Sequence, residues 1–194
     1  MKRVYLSFIT VLMLLYVIHT IGGGCTQTTG YKELIVSEDM ASFSFEYPAF
    51  YDEPYVSTPI ETQSIEVDAG GLIQPRVSGA EFLFITVLPV SDSFPNAKTM
   101  LDYEFSLIEG LPDFQLLERS PVTIAGSQGE QVIYSYYGYH TTWESPAETG
   151  TAYDAYFDSG GLIWIVELIA DEYTAAERAK ADFEHILETF QILD

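Results

Sequence analysis

The chain has 194 residues, of which 47% are hydrophobic and 14% aromatic, and it carries 29 acidic against 8 basic side chains for a net charge of −21. Such a chain folds around a core rather than staying disordered, and a surface this acidic is repelled by nucleic-acid phosphates and anionic lipid headgroups, which excludes both as main ligands. Its single cysteine rules out an internal disulfide, so stability rests on the core.

Lys2 and Arg3 form a basic start, Val4 to Ile18 is an apolar run, and Gly22, Gly23 and Gly24 lead directly into Cys25. This order resembles the signal of bacterial lipoproteins, in which the cysteine thiol takes a diacylglycerol and becomes the new N-terminus. Gly22 departs from that pattern, where an aliphatic residue is usual; Ile21 sits one place too early. Without cleavage, Val4 to Ile21 is near the lower limit for spanning a bilayer, and the domain is still tethered outside. The chain therefore divides into a signal peptide over residues 1–24, a lipidated Cys25 with a polar linker over residues 25–41, and one domain over residues 42–194. Removing Lys2 and Arg3 leaves 6 basic against 29 acidic residues, a net of −23.

Within the domain, Phe43, Phe45 and Tyr47 alternate along a strand that ends at Pro48, and Tyr51 to Ser57 is irregular. Ile60 to Val67 reads as a strand, and Leu72 to Gly79, with Pro75, as a loop. Phe82 to Leu88 and Leu162 to Ile169 are nearly continuous apolar runs, too short for typical helices and rich in β-branched and aromatic residues, so both are strands with covered faces. Two amphipathic helices are available as cover. The first spans about Asn96 to Glu109 with Ala97, Met100, Leu101, Phe105 and Ile108 on one stripe, and Gly110 and Pro112 end it. The second starts from a capping box, Thr174 with Glu177, and its core stripe is Ala176, Ala179, Phe183, Ile186, Leu187 and Phe190. Between them lie strands near Phe114 to Glu118, Val122 to Ala125, Glu130 to His140 and Thr151 to Phe157, with turns at Gly126-Ser127-Gln128-Gly129 and Asp158-Ser159-Gly160-Gly161 that make antiparallel hairpins. The expected fold is α+β: a mostly antiparallel sheet covered by helices on both faces, an α/β/α sandwich.

Four features in this order carry a family resemblance. They are the aromatic-Pro strand Phe43-Ser44-Phe45-Glu46-Tyr47-Pro48, the glycine turn Ile124-Ala125-Gly126 with its pairing strand Gln131-Val132-Ile133-Tyr134, the hairpin Asp158-Ser159-Gly160-Gly161 into the long apolar strand, and the final helix running into Phe190-Gln191-Ile192-Leu193. Over Ser42 to Asp194 the chain resembles the PsbP-like family. Its members include a soluble lumenal subunit of photosystem II, a nuclear-import factor that binds the GTPase Ran, and bacterial lipoproteins of unassigned role. The resemblance implies no shared catalytic residues, and fold alone does not fix function.

No catalytic or cofactor constellation emerges. Ser127 in Gly-Ser-Gln-Gly lies in a strand-to-strand turn, the wrong context for a nucleophile elbow, and no phosphate loop or dinucleotide fingerprint occurs. His185 reads as a helix-surface histidine. His140, with Glu144, Glu148 and Asp154 beyond it, lacks calcium-loop and paired-histidine spacing. The most unusual composition is the run from Tyr134 to Trp143. Its apolar alternation decays after Gly138, so Tyr137, Tyr139, His140, Trp143 and Glu144 are the candidate binding residues, on a strand leaving the sheet and the proline-containing loop that follows. The reading is a tethered, non-enzymatic binding or assembly module for a protein or small ligand, with an extracytoplasmic hydrolase or metal-dependent enzyme as the competing class.

Overall fold

The computed structural model describes residues 30–58, 64–69, 81–139, 148–171 and 176–193, Tyr139 and Glu148 by their backbone alone. The elements run β1 (Tyr31–Ser37), β2 (Ser42–Pro48), β3 (Tyr55–Ser57), β4 (Ile65–Asp68), β5 (Glu81–Pro89), α1 (Ala97–Ile108), β6 (Gln115–Ile124), β7 (Ser127–Tyr139), β8 (Glu148–Ser159), β9 (Leu162–Asp171), α2 (Ala176–Thr189) and β10 (Gln191–Leu193). Seven strands form one sheet in the order β3-β4-β5-β9-β8-β7-β6, and a second sheet has the order β1-β2-β10. Every pairing in both is antiparallel.

Local chemistry sets these elements. Gly160 and Gly161 take φ of +63° and +78°, the left-handed pair that a two-residue hairpin turn demands, and this fixes the β8–β9 register. At Gly129 in β7 an added Cβ would lie 2.4 Å from the Tyr156 carbonyl oxygen and 2.8 Å from the Phe157 Cβ, so β8 packs where only glycine leaves room. The first helix is capped at Asn96, whose side chain accepts from the Thr99 N–H at 2.9 Å, while the Asp158 carboxylate accepts from the Ala97 N–H at 2.8 Å. Both are sites that an N-terminal turn leaves otherwise unpaired.

The larger core lies between the seven-stranded sheet, α2 and β2. Trp164 and Phe183, each 1% exposed, sit in it as expected, with Phe43, Phe45, Phe157 and Phe190. Trp164 stacks on Phe157 and meets Phe43 and Phe190 edge-on, geometries that suit the ring quadrupoles. A smaller cluster under α1 joins Ala97 and Leu101 to Val132, Tyr156, Ile163 and Ile165.

The α/β/α sandwich expected from the sequence is overturned. Of the described residues, 57% are strand and 19% helix, in two helices, so the fold is β-rich. The physical reason lies in what covers the apolar strands. On the Trp164 side the small sheet, through the aromatic side chains of β2, shares the work with α2. On the other side α1 packs on β7, β8 and β9, leaving the β3–β4–β5 end without a helical layer among the described residues. Tyr31–Ser37, read as linker, forms β1 and pairs along the whole of β2. The two short strands read at Phe114–Glu118 and Val122–Ala125 are one strand, β6, bulged at Leu117 and running through Pro121. Proline is tolerated there because β6 is the sheet edge. Leu72–Gly79 and Thr174 of the capping box lie outside the described residues.

Candidate functional site

Residues opposed across antiparallel strands share a face of the sheet. Reading across the register gives the row Arg119, Val132, Asp154, Glu167, Phe84, Asp68 and Tyr55 from β6 to β3. Val132 belongs to the cluster under α1, so this is the α1 face. The row places two carboxylates, Asp154 and Glu167, directly opposite one another. Where α1 gives out, the same face opens into a cleft of about 360 Å³ lined by Tyr55, Glu66, Asp68, Phe84, Thr86 and Glu167 among others.

The electrostatics here are unusual. Asp154 is 3% exposed. The Tyr134 hydroxyl donates to it, yet its Oδ1 has no hydrogen-bond partner. Burial pushes the Asp154 carboxyl well above the usual range, and the facing charge of Glu167 adds to the effect. Glu167 itself rises from 4.5 to about 7, through burial first and the charge of Glu104 second. Glu104, on α1, is also raised by burial although it accepts a hydrogen bond from the Tyr156 hydroxyl. Burial, followed by the nearby carboxylates, raises Tyr134 and Tyr136 as well. Among the described residues no lysine or arginine is paired with Asp154, Glu167 or Glu104. Three buried carboxyls with no cationic partner cost folding energy when ionised and hold their protons instead, and perturbed groups of this kind concentrate at functional sites. No group of three or more histidine, cysteine or carboxylate side chains among the described residues is placed to hold a metal.

A second feature lies at the far end of the sheet. Tyr103, Leu107, Leu111, Leu116, Leu117 and Tyr137 are all exposed. They come from the outer side of α1, the turn after it, the bulged start of β6 and the end of β7. The Tyr137 N–H donates to the Pro112 carbonyl at 2.9 Å, tying the turn to β7, and the ladder shifts register between Tyr137 and Tyr139 beside Gly138 at φ +120°. Of the residues singled out in the sequence, Tyr137 is thus an exposed ring at a strand irregularity. Tyr139 is described by its backbone alone, and Cys25, His140, Trp143 and Glu144 lie outside the described residues.

The remaining expectations resolve as follows. Ser127 opens β7 opposite Ile124, a hairpin residue. His185 is not a plain surface histidine: its ring stacks on Tyr31 at 3.7 Å and Nε2 lies 2.8 Å from Glu46, pinning α2 to the small sheet. Beside it Arg178 reaches the buried Glu81 at 2.5 Å and Tyr51 donates to the same carboxylate at 2.9 Å, a buried charge whose partners are in place. The acid row escaped the sequence reading because its members are spread over separate strands. A signal did exist: counting outward from the two-residue turn Gly160-Gly161 sets Asp154 against Glu167.

No protein-family model matches the sequence, and no curated protein does. Solved structures do. The Ran-binding protein Mog1p of Saccharomyces cerevisiae is similar over 86% of this chain and 97% of its own, with 11% identity and a TM-score of 0.54. Cyanobacterial PsbP from Synechocystis is similar over 88% and 98%, with 14% identity and a TM-score of 0.48. LpqN of Mycobacterium tuberculosis, described as involved in cell envelope biogenesis, is similar over 84% and 92%, with 17% identity and a TM-score of 0.45. At these identities the likeness is one of fold, and the Mog1p match carries it.

Proposed function

We propose that this chain is an extracytoplasmic binding or assembly module, tethered by a lipid on Cys25, that docks a protein partner and performs no chemistry of its own. The observation that carries the reading is the succession of exposed leucines Leu107, Leu111, Leu116 and Leu117 along α1, the turn after it and the start of the edge strand β6. Exposed large apolar side chains gathered at one place mark interaction sites, whereas scattered single ones are ordinary. A chain of net charge −21 has ample polar surface elsewhere, so keeping leucines at this end in water needs a reason. The edge strand β6 adds unpaired backbone groups that a partner strand can use. A fold shared with a Ran-binding protein agrees with a binding role. Among the described residues no helix is long and apolar enough to cross a membrane, and the tether in this reading is the Gly22-Gly23-Gly24-Cys25 signal.

The test is site-specific photo-crosslinking in native membranes. A benzophenone amino acid at Leu117 gives one discrete adduct, and the same probe at Glu188 on the exposed side of α2 gives none. Absence of an adduct at both Leu117 and Leu107 removes the docking surface. Metabolic labelling with radioactive palmitate reports the tether: label on the wild type and none on Cys25→Ala supports it, and an unlabelled wild type ends it.

A further inference from the structure

We infer that the free edge of β1 is a self-association surface, along which a second copy of this chain pairs its own β1 antiparallel and joins the two small sheets into one. The inference goes beyond the docking surface on β6 and rests on the reading above only for the tether, which raises the local concentration.

An uncovered strand edge is a template for another strand, and proteins guard their edges with shortness, proline, bulges or charge. The two sheets end in β3, β6, β10 and β1. β3 and β10 are three residues long. β6 carries Pro121 and the bulge at Leu117, so it admits only a short partner segment. β1 has none of these guards. It runs for seven residues, without proline or glycine, in unbroken register with β2. Its lysine, Lys32, is drawn to Glu53 at 3.3 Å and lies over the Tyr47 ring. Ile35, on the same strand, is 62% exposed.

The hydrogen bonds tell which groups face outward. The Ala49 N–H donates to the Gly30 carbonyl at 2.9 Å. Antiparallel ladders alternate, so Gly30, Lys32, Leu34 and Val36 turn their backbones towards β2. Glu46, opposite Glu33, turns its N–H the other way, to the Thr189 hydroxyl at 3.1 Å, as that phase requires. Tyr31, Glu33, Ile35 and Ser37 therefore present N–H and C=O groups along the outer edge, where no strand pairs with them among the described residues.

A second copy fits this edge in one register. With Leu34 on the two-fold axis the whole of Tyr31–Ser37 overlaps its counterpart. Tyr31 then bonds Ser37, Glu33 bonds Ile35 and Lys32 faces Val36, each of them twice, and no like charges stand opposite one another. A slip of one residue swaps the faces. Slipping by two sets Glu33 against Glu33 in one direction and shortens the ladder to Glu33–Ser37 in the other. β1 holds one lysine and one glutamate, so the seam is neutral within a chain of net charge −21, and at physiological salt charges more than about 8 Å apart are largely screened. A seam of this length is small for a stable interface. Co-tethering through Cys25, shortly before Tyr31 in the chain, holds both copies in one plane and offsets that weakness.

The experiment is disulfide trapping in whole cells with the full chain. Residues opposed in a hydrogen-bonded pair have Cα atoms about 5.5 Å apart, within disulfide reach, whereas the two copies of Ile35 are offset along the seam and lie about 9 Å apart, beyond it. Glu33→Cys and Ile35→Cys, both at exposed positions, are expressed with different epitope tags, alone and together, and mildly oxidised. Together they give a doubly tagged dimer, at least tenfold above the dimer of either variant alone, of the wild type with only Cys25, or of Ile35→Cys mixed with Glu188→Cys on the exposed side of α2. A mixed pair that gives no doubly tagged dimer overturns the inference. So does a dimer of Ile35→Cys alone as strong as the mixed one, because it requires another register, and so does a disulfide to a different protein in place of the dimer, which assigns the edge to a partner strand. Palmitate labelling of the same cells reports the tether separately: a trapped dimer of unlabelled chains ends the tether and leaves the inference standing. A thermal melt of each purified variant confirms that trapping is read on folded protein.

Discussion

Replacing Glu167 by glutamine perturbs stability in a direction that the acid row dictates. In the folded chain this carboxyl titrates at about 7, against 4.5 for an ordinary glutamate. Between those values the native state holds a proton that the unfolded chain has already released, so stability falls as pH rises through the window. The contribution is complete below pH 4.5 and lost by the time pH passes 7. At about 1.4 kcal/mol per pH unit the full gap amounts to about 3 kcal/mol, and water at the cleft mouth screens part of it, which leaves about 1–3 kcal/mol. Glutamine cannot ionise and keeps nearly the same shape. The variant therefore matches the wild type at pH 4.5 and exceeds it by about 1–3 kcal/mol at pH 8. Urea denaturation followed by tryptophan fluorescence, with Trp164 buried in the core as reporter, measures both across the pH series. Two curves that run parallel from pH 4.5 to pH 8 would refute the claim that Glu167 is forced to ionise in a hostile setting.

Three further outcomes follow from the packing. Phe183→Ala empties a site that is 1% exposed and costs about 3–5 kcal/mol by the same denaturation assay. Arg178→Met leaves Glu81 buried with only the Tyr51 hydroxyl as partner and costs about 3 kcal/mol at pH 7. Because protonation of Glu81 relieves that penalty, the loss shrinks in a parallel measurement at pH 4. Gly129→Ala pushes a methyl against the Tyr156 carbonyl and lowers stability by about 1–3 kcal/mol, visible as a drop in Tm by circular dichroism.

Where one physical signal dominated, the sequence was readable. The run around Val166 is buried on both faces and that around Ile85 fully on one, and their uninterrupted apolar character marked them as central strands. The two amphipathic stripes marked α1 and α2, and Asn96 caps the first as a residue of its type should. Competing signals hid the rest. In β1 the order Lys32-Glu33-Leu34-Ile35 looks like a polar tether because an edge strand keeps most of its side chains in water; only Val36 is fully buried. Pro121 argued against a continuous β6, and only its place at the sheet edge reconciles the two. The sandwich expectation failed because apolar strands were taken to need helical cover, when the aromatic face of β2 serves equally well. The exposure of Tyr137 was legible from the decay of alternation after Gly138. The acid row was not, since Asp154 and Glu167 stand alone among apolar neighbours in their own strands and acquire meaning only in register with each other.

The central position of β2 in the small sheet bears on when the fold can close. Its two neighbours are β1, which precedes it, and β10, formed about 150 residues later at Gln191–Leu193. A polypeptide emerging in order from a ribosome has β2 in hand almost at once, yet one flank of that strand stays unsatisfied until the last helix has passed. Phe190, which packs on Phe43 and Phe45, arrives equally late. Closure of the Trp164 core thus waits on contacts of long sequence separation, which form slowly. During that interval its half-made aromatic layer stays open to solvent and is what a holding chaperone would grip.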